Sequence, residues 1–205
     1  MPLLTLPRIE QRLREHQPLV LDSRNVSRRA AVAVILREQG DETQALLIKR
    51  AQRPGDLWSG HMAFPGGHWE PGDADLAATA MRETHEEIGL DLTRHGRLLG
   101  HLDHMNVNPI GTHYDMLIVP YVFAAERDLP SFQPNHEVAA VLWGSIHAMF
   151  DGRSAIRREM AVPGGMQPFP GYDVQGDIVW GLTYRMLHGF FGVLDPTWRI
   201  TPDAA

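Results

Sequence analysis

Cysteine is absent from the 205 residues of the chain. Disulfides, a catalytic thiol and a cysteine-ligated zinc ion are therefore excluded. Long apolar runs are missing as well, since no stretch approaches the roughly 20 residues of a membrane-spanning helix. Residues 1–7 contain two prolines and no basic residue, a pattern unlike that of a secretory signal. We expect a soluble, cytoplasmic protein that does not enter membranes.

The chain also has fewer basic than acidic residues. The chain has 19 Lys and Arg residues against 25 Asp and Glu residues, a formal net charge of -6. Broad nucleic-acid-binding surfaces need a basic stripe, so we expect no nucleic-acid partner. A small phosphorylated substrate is compatible with this charge if divalent cations bridge it to the protein, helped by local arginines such as Arg50 and Arg53. The sequence leaves open whether the chain forms a homodimer.

The length and composition predict one domain over residues 1–205. Hydrophobic residues make up 43% of the chain and charged residues 21%, values typical of soluble globular proteins. A chain of this size can bury a substantial core. A short helix at residues 9–16 belongs to an N-terminal segment, residues 1–28, that we expect to be peripheral.

Apolar periodicity predicts strands interleaved with two substantial helices, which is typical of an α/β or α+β domain. The strands are predicted at residues 29–36, 45–50, 62–65, 97–103, 114–124 and 136–143. One helix follows the glycine-rich stretch at 66–72, and another is predicted over 178–191. The polar loop at 106–111 is a candidate lip over a substrate. Residues 163–171, rich in Pro and Gly, are interpreted as an irregular loop.

Three glutamates on the first of these helices indicate a metal site. Residues three and four apart share a helix face, so Glu86 and Glu87 converge with Glu83. A separate stripe faces the core: Ala77, Met81, Thr84 and Ile88. The alternative is a solvated helix surface, but lysines do not dilute this acidic face, and Arg82 is placed to pair with Glu86. Hard oxygen ligands of this kind favour Mg²⁺ or Mn²⁺.

Residues 67–90 resemble the Nudix box, the signature of the Nudix hydrolases. The second half of the signature is matched, except that Thr84 replaces an aliphatic residue. In the first half, Asp73 takes the position of a glutamate, and one extra residue separates it from Arg82. We interpret this as a slightly longer loop before an intact metal-binding helix.

The resemblance implies an α/β fold, the Nudix α/β/α sandwich with a mixed β-sheet, and hydrolysis of diphosphate linkages with Mg²⁺ or Mn²⁺. It also implies that Glu83, Glu86 and Glu87 bind the metal and that the backbone carbonyl at Gly67 adds a ligand. Arg82 is expected to orient Glu86. Such a metal acidifies bound water and neutralises phosphate oxygens.

The general base is not fixed by the sequence, because this family takes it either from the box or from a glutamate in a later loop. The candidates for catalytic roles are therefore Glu83, Glu86 and Arg82 in the box and Glu137 outside it. Glu137 lies in a loop before an apolar strand, where residues often face a site. An equally simple interpretation makes it a solvated strand start.

Outside the box, residues 46–50, 58–67 and 178–183 resemble the coenzyme A diphosphatase branch of the family. This resemblance implies cleavage of coenzyme A or acyl-coenzyme A into 3′,5′-ADP and a 4′-phosphopantetheine product. The chain departs from the branch at two positions, with His61 where glutamine is usual and Trp58 where histidine is usual.

The expected partner is thus a small nucleoside diphosphate derivative, with Arg50, Arg53 and His61 as candidate substrate-binding residues. An alternative is another Nudix substrate, such as ADP-ribose, a nucleotide sugar or a nucleoside triphosphate. A different class of function is a non-catalytic nucleotide sensor, which would be expected to lose box glutamates or gain a DNA-binding segment. The sequence shows neither change.

Overall fold

The structure is a computed structural model that describes residues 4–22, 26–55, 58–107, 115–162 and 165–199. The candidate lip at 106–111 lies largely outside these ranges. The helices are α1 (Leu6–Glu15), α2 (Leu76–Ile88), α3 (Leu92–His95), α4 (Ile146–Phe150) and α5 (Gly181–Leu194). The strands are β1 (Arg28–Gln39), β2 (Glu42–Arg50), β3 (Met62–Ala63), β4 (Gly66–His68), β5 (Gly96–His101), β6 (Met105–Val107), β7 (Met116–Ala125), β8 (Val138–Ser145), β9 (Ala155–Val162), β10 (Gly165–Val174) and β11 (Asp177–Val179).

A mixed sheet is built around β1, as the resemblance implied. One edge of β1 pairs in parallel with β7 from Arg28 to Leu36. The other edge pairs antiparallel with two strands in turn, with β4 at residues 30–32 and with β2 at residues 36–39. The sheet continues through β8 and β3 beside β2 and through β5 and β6 beside β7. The short strand β4 thus fixes the glycine turn directly against the centre of the sheet.

The two faces of this sheet carry separate cores, because successive side chains of β1 point to opposite faces. Ile35 packs on one face with Ile88 of α2. Val34 packs on the other face with Ile9 of α1 and Phe190 of α5. The sheet is therefore sandwiched between helices, and the predicted α/β class is confirmed. No helix in the described ranges is both long enough and apolar enough to cross a bilayer.

The N-terminal segment differs from the peripheral role predicted for it. Leu4, Ile9 and Leu13 are buried and belong to the core that α5 shares. The hydroxyl of Thr43 donates to the carbonyl oxygen of Leu4, which attaches the segment to β2. Two apolar positions on a short helix predict an amphipathic face but do not reveal which surface covers it.

The prediction of an irregular loop at residues 163–171 is wrong for residues 165–171, which belong to β10, while residues 163–164 lie outside the described ranges. The strand β10 pairs antiparallel with β9 and, over residues 172–174, with β11. Pro168 and Pro170 are tolerated because β11 pairs only beyond them, so the missing N–H groups interrupt no ladder on that edge. The predicted C-terminal helix likewise starts late, since Asp177–Val179 is β11 and α5 begins at Gly181.

The entry into α2 is organised by two aspartates. Asp75 is the N-cap, and its side chain accepts from the N–H of Ala78 at 2.8 Å. Asp73 accepts from the N–H of Glu70, the hydroxyl of Thr79 and two nitrogens of Arg82, with only 6% of its side chain exposed. The Arg82 guanidinium, together with these other donors, lowers the pKa of Asp73 to about 2. The longer loop before the helix is therefore held by an ion pair.

Replacing Asp73 with Asn is expected to lower the free energy of unfolding by about 2–3 kcal/mol near neutral pH, because charge-assisted hydrogen bonds to Arg82 are lost. The lowered pKa of Asp73 means that its contribution is present above the ordinary pKa of 3.8 and is lost as the pH falls toward about 2. Urea unfolding at about pH 7 and about pH 3 measures both effects.

The matched control is Asp75→Asn, because asparagine caps a helix about as well as aspartate and stability should change little. The difference between wild type and the Asp73→Asn variant should shrink at the lower pH. A difference that is independent of pH, or absent at neutral pH, would contradict the assigned ion pair.

Candidate metal centre

The three glutamates lie at different depths on the face of α2 that meets the glycine turn. The Glu86 side chain is 53% exposed, and that of Glu83 is 18% exposed. Glu87 is buried, with 3% exposure, between the helix and the sheet. On the predicted acidic face, side-chain exposure thus decreases from Glu86 through Glu83 to Glu87.

The two glycines of the turn allow close approach, Gly66 to the backbone of β1 and Gly67 to the carboxylate of Glu83. The N–H of Gly66 donates to Oε2 of Glu87 at 2.9 Å. Gly66 has a φ of 153°, and a Cβ there would lie 2.3 Å from the carbonyl oxygen of Ala31. A Cβ at Gly67 would lie 2.4 Å from the Glu83 carboxyl carbon. A side chain at either position would therefore displace the backbone or a carboxylate.

Burial disfavours the ionised form of the two inner carboxylates, Glu83 and Glu87. It raises the pKa of Glu87 to about 8, and the charges of Glu83 and Glu137 add to this effect, while the Gly66 N–H and Arg50 oppose it. Burial also raises the pKa of Glu83, and Arg82 opposes that shift. A nearby cation would stabilise the ionised form of these grouped carboxylates and lower their pKa values.

Arg82 joins the carboxylates to the loop before the helix. Its Nη1 lies 3.0 Å from Oε2 of Glu86 and 3.1 Å from Oε1 of Glu83. Its other nitrogens bind Asp73 and donate to the carbonyl oxygen of His68 at 2.8 Å. The predicted pairing of Arg82 with Glu86 is present. The structure adds Asp73 as a further partner of Arg82.

The C-terminal end of α2 is covered by the loop that carries Glu137. The backbone N–H of Asn135 donates to the carbonyl oxygen of Glu87, and its side-chain amide donates to that of Glu86, both at 2.9 Å. These bonds satisfy carbonyls left unpaired at a helix end. They bring Glu137 close enough to raise the pKa of Glu87. Sequence reasoning missed Asn135, because only this contact between distant segments gives it a role.

The predicted substrate-binding residues separate into two places. Arg50 and His61 line a cavity of about 170 Å³ whose wall includes Gly66 and Gly67. Arg53 lies outside this lining and donates to Oε1 of Glu137 at 3.0 Å. The remainder of the cavity is largely apolar and includes Met62, Phe64, Met116, Ile118, Leu182 and Met186.

The chemistry of the donor set suits a hard divalent cation, since carboxylate oxygens are the ligands such ions prefer. Within the described ranges, no three His, Asp or Glu side chains are already arranged to hold a metal. Glu86 is instead turned toward Arg82, and Glu87 toward the Gly66 N–H. A bound cation would compete with these donors for the same oxygens.

Comparison with known proteins places the chain in a family. A model of the NUDIX domain matches residues 26–162. A Nudix hydrolase named NudL from Photorhabdus laumondii, described as uncharacterized, is 27% identical over 143 residues, which are 70% of this chain and 73% of that protein. The mitochondrial coenzyme A diphosphatase NUDT8 of Mus musculus is 37% identical over 93 residues. That alignment spans 45% of this chain and only 41% of the mouse protein.

Solved structures support the fold. A MutT/nudix family protein from Enterococcus faecalis superposes with a TM-score of 0.54 at 15% identity, over 93% of this chain and 70% of that chain. An Ap4A hydrolase from C. elegans gives a TM-score of 0.50 at 22% identity, over 60% of this chain and 83% of that chain. The matched domain model and the carboxylates gathered at the glycine turn lead to one assignment: the chain belongs to the Nudix hydrolase family.

Proposed function

We propose that the protein is a Mg²⁺- or Mn²⁺-dependent hydrolase that cleaves the diphosphate linkage of coenzyme A or acyl-coenzyme A. The products would be 3′,5′-ADP and 4′-phosphopantetheine or its acylated form. One observation carries this proposal: the glycine turn that receives the carboxylates of Glu83 and Glu87 also forms the wall of an apolar cavity. A diphosphate at this turn would have space beside it for an apolar chain.

Glu83, Glu86 and Glu87, with the backbone carbonyl at Gly67, would hold the metal. A metal bound there supplies acidified water and neutralises charge on the phosphate oxygens. Arg82 donates a hydrogen bond to Glu86 and keeps it in position. The guanidinium of Arg82 is itself held by a hydrogen bond to Asp73. Arg50, which lowers the pKa of Glu87, adds positive charge between the carboxylates and the cavity. The proton of the attacking water would pass to Glu86 or Glu137.

The cavity favours coenzyme A over other diphosphates. Its lining of methionine, phenylalanine and leucine side chains suits a flexible chain with apolar segments, such as pantetheine with an acyl group. ADP-ribose and nucleotide sugars carry polar sugars at the corresponding end. The similarity to a relative named as a coenzyme A diphosphatase points to the same substrate.

A small-molecule substrate and a cytoplasmic location belong to this proposal. Two relatives, from Mus musculus and Arabidopsis thaliana, carry the word mitochondrial in their names. Cell fractionation would decide between these compartments.

Replacing Glu86 or Glu87 with Gln is expected to lower kcat by at least about 100-fold, because a metal ligand or proton acceptor is lost. Folding should be retained, since Glu86 is half exposed and burial already disfavours the charge of Glu87. Steady-state kinetics with added Mg²⁺ and thermal unfolding measure the two effects. Glu126→Gln, which alters a surface pair with His95, is the matched control. Near-native rates in both box variants would reject the site.

Replacing Glu137 with Gln distinguishes the two candidate bases. A base at Glu137 predicts a fall in kcat of about 100-fold or more with little change in KM. Arg53→Gln removes an arginine that pairs with Glu137 and leaves the carboxylate in place, and it should retain far more activity because Arg53 lies outside the lining of the cavity. A Glu137→Gln variant with wild-type kcat would assign the proton transfer to Glu86 instead.

A substrate panel tests the proposed specificity. The purified protein with Mg²⁺ is expected to release 3′,5′-ADP from coenzyme A, and to turn over ADP-ribose, nucleotide sugars and nucleoside triphosphates more slowly. Chelation of the metal should abolish turnover. Preferential cleavage of one of the other compounds would reject coenzyme A as the substrate. Binding without turnover of any compound would indicate the sensor function.

A further inference from the structure

A groove with two arginines adjoins the glycine turn. It is formed by residues 26–29 at the start of β1 and by residues 68–70, which follow Gly67 directly. Arg28 and Arg29 line one side, and Trp69 lines the other. The two arginines give this groove a local positive charge, whereas the chain as a whole has a net charge of -6.

The strand register places part of this groove on the metal-binding face of the sheet. Ala31 is paired with Gly67, and the N–H of Trp69 donates to the carbonyl oxygen of Arg29 at 2.9 Å. Since alternate residues of a strand share a face, Arg29 and Trp69 lie on the same face as Gly67. This is the face on which Glu83 contacts Gly67.

Arg29 is held in place by stacking. Its guanidinium carbon lies 3.8 Å from the centre of the Trp69 ring. The indole N–H of Trp69 in turn donates to the carbonyl oxygen of Asp73 at 3.3 Å, so the loop that anchors Arg82 also fixes the ring. None of the salt bridges found between described residues includes Arg29. A stacked guanidinium retains its in-plane N–H donors, which suit bidentate bonds to a phosphate.

The groove and the metal centre are close enough to share one substrate. A strand rises about 3.3 Å per residue, so Trp69 lies about 7 Å from Gly67 along the chain. This separation is comparable with the span of a ribose ring. The charge of Glu70, which also lines the groove, raises the pKa of Glu83. Glu70 opposes anion binding, so affinity for an anion would depend on the arginine side of the groove.

We propose that Arg29, stacked on Trp69, binds a phosphate monoester on the ribose of the substrate while the diphosphate lies at the Gly66–Gly67 turn. Arg28 adds positive charge to the groove. This inference rests on the proposed function and identifies the residue that selects a 3′-phosphorylated nucleotide. Diphosphates whose ribose lacks that group, such as ADP-ribose and nucleotide sugars, would lose this contact.

The test compares coenzyme A with 3′-dephospho-coenzyme A in wild type and in the Arg29→Gln variant. The variant is expected to raise KM for coenzyme A about tenfold, because a charged hydrogen-bond partner is lost. Its KM for dephospho-coenzyme A should stay within about twofold of wild type. Arg37→Gln is the matched control, because Arg37 stacks on Trp143 at 3.9 Å near the opposite end of β1. Both KM values should be unchanged in the control.

Equilibrium binding of 3′,5′-ADP and 5′-AMP provides a readout without turnover. Wild type should bind 3′,5′-ADP more tightly, and Arg29→Gln should remove that preference. Equal effects of Arg29→Gln on the two coenzymes, or no effect on either, would overturn the subsite and leave the proposed function standing. Wild-type protein that cleaves neither coenzyme would reject the proposed function. If that inactive wild-type protein also bound 3′,5′-ADP and 5′-AMP equally tightly, the phosphate subsite would be rejected as well.

Discussion

The contact between buried carboxylates and a glycine turn is the constraint on which the rest of the structure depends. Glu87 accepts from the Gly66 N–H, and the Glu83 carboxylate occupies the space that a side chain at Gly67 would fill. Placing like charges together in a partly desolvated site is unfavourable, and the raised pKa of both groups reflects this. Such a site is stable enough to persist only because the surrounding elements fix its geometry, and it is well suited to attract a cation.

Those elements hold α2 at both ends. At its start, Asp73 binds Arg82 and thereby positions the guanidinium that contacts Glu83 and Glu86. At its end, Asn135 binds the last carbonyls of the helix and carries Glu137 toward the site. The same contacts that stabilise the helix termini therefore also set the positions of the polar groups in the site. The stability of α2 and the geometry of the candidate metal centre are coupled through a few hydrogen bonds.

Successive residues of β4 and of the segment after it lie on opposite faces of the sheet. Gly67 and the Trp69 side chain lie on the face of the sheet that carries α2, and Arg29 lies on the same face. His68 lies on the other face and lines the apolar cavity together with Met116. The short strand β4 and the residue after it thus separate the arginine-lined groove from the apolar cavity. This arrangement would let one elongated substrate meet both regions.

The sequence by itself determined the local elements of this protein. The alternation in β1 and β2, the helical spacing of Glu83, Glu86 and Glu87, and the pairing of Arg82 with Glu86 follow from periodicities within a few residues. The α/β class and the mixed sheet followed from the family signature, because strand order is not encoded in any local pattern. Only the tertiary structure decided the burial of Leu4, Ile9 and Leu13, the pairing of β9 with β10, the depth of Glu87 and the position of Asn135. Each of these depends on contacts between segments far apart in the chain, and no local pattern in the sequence specifies which distant surface a residue will meet.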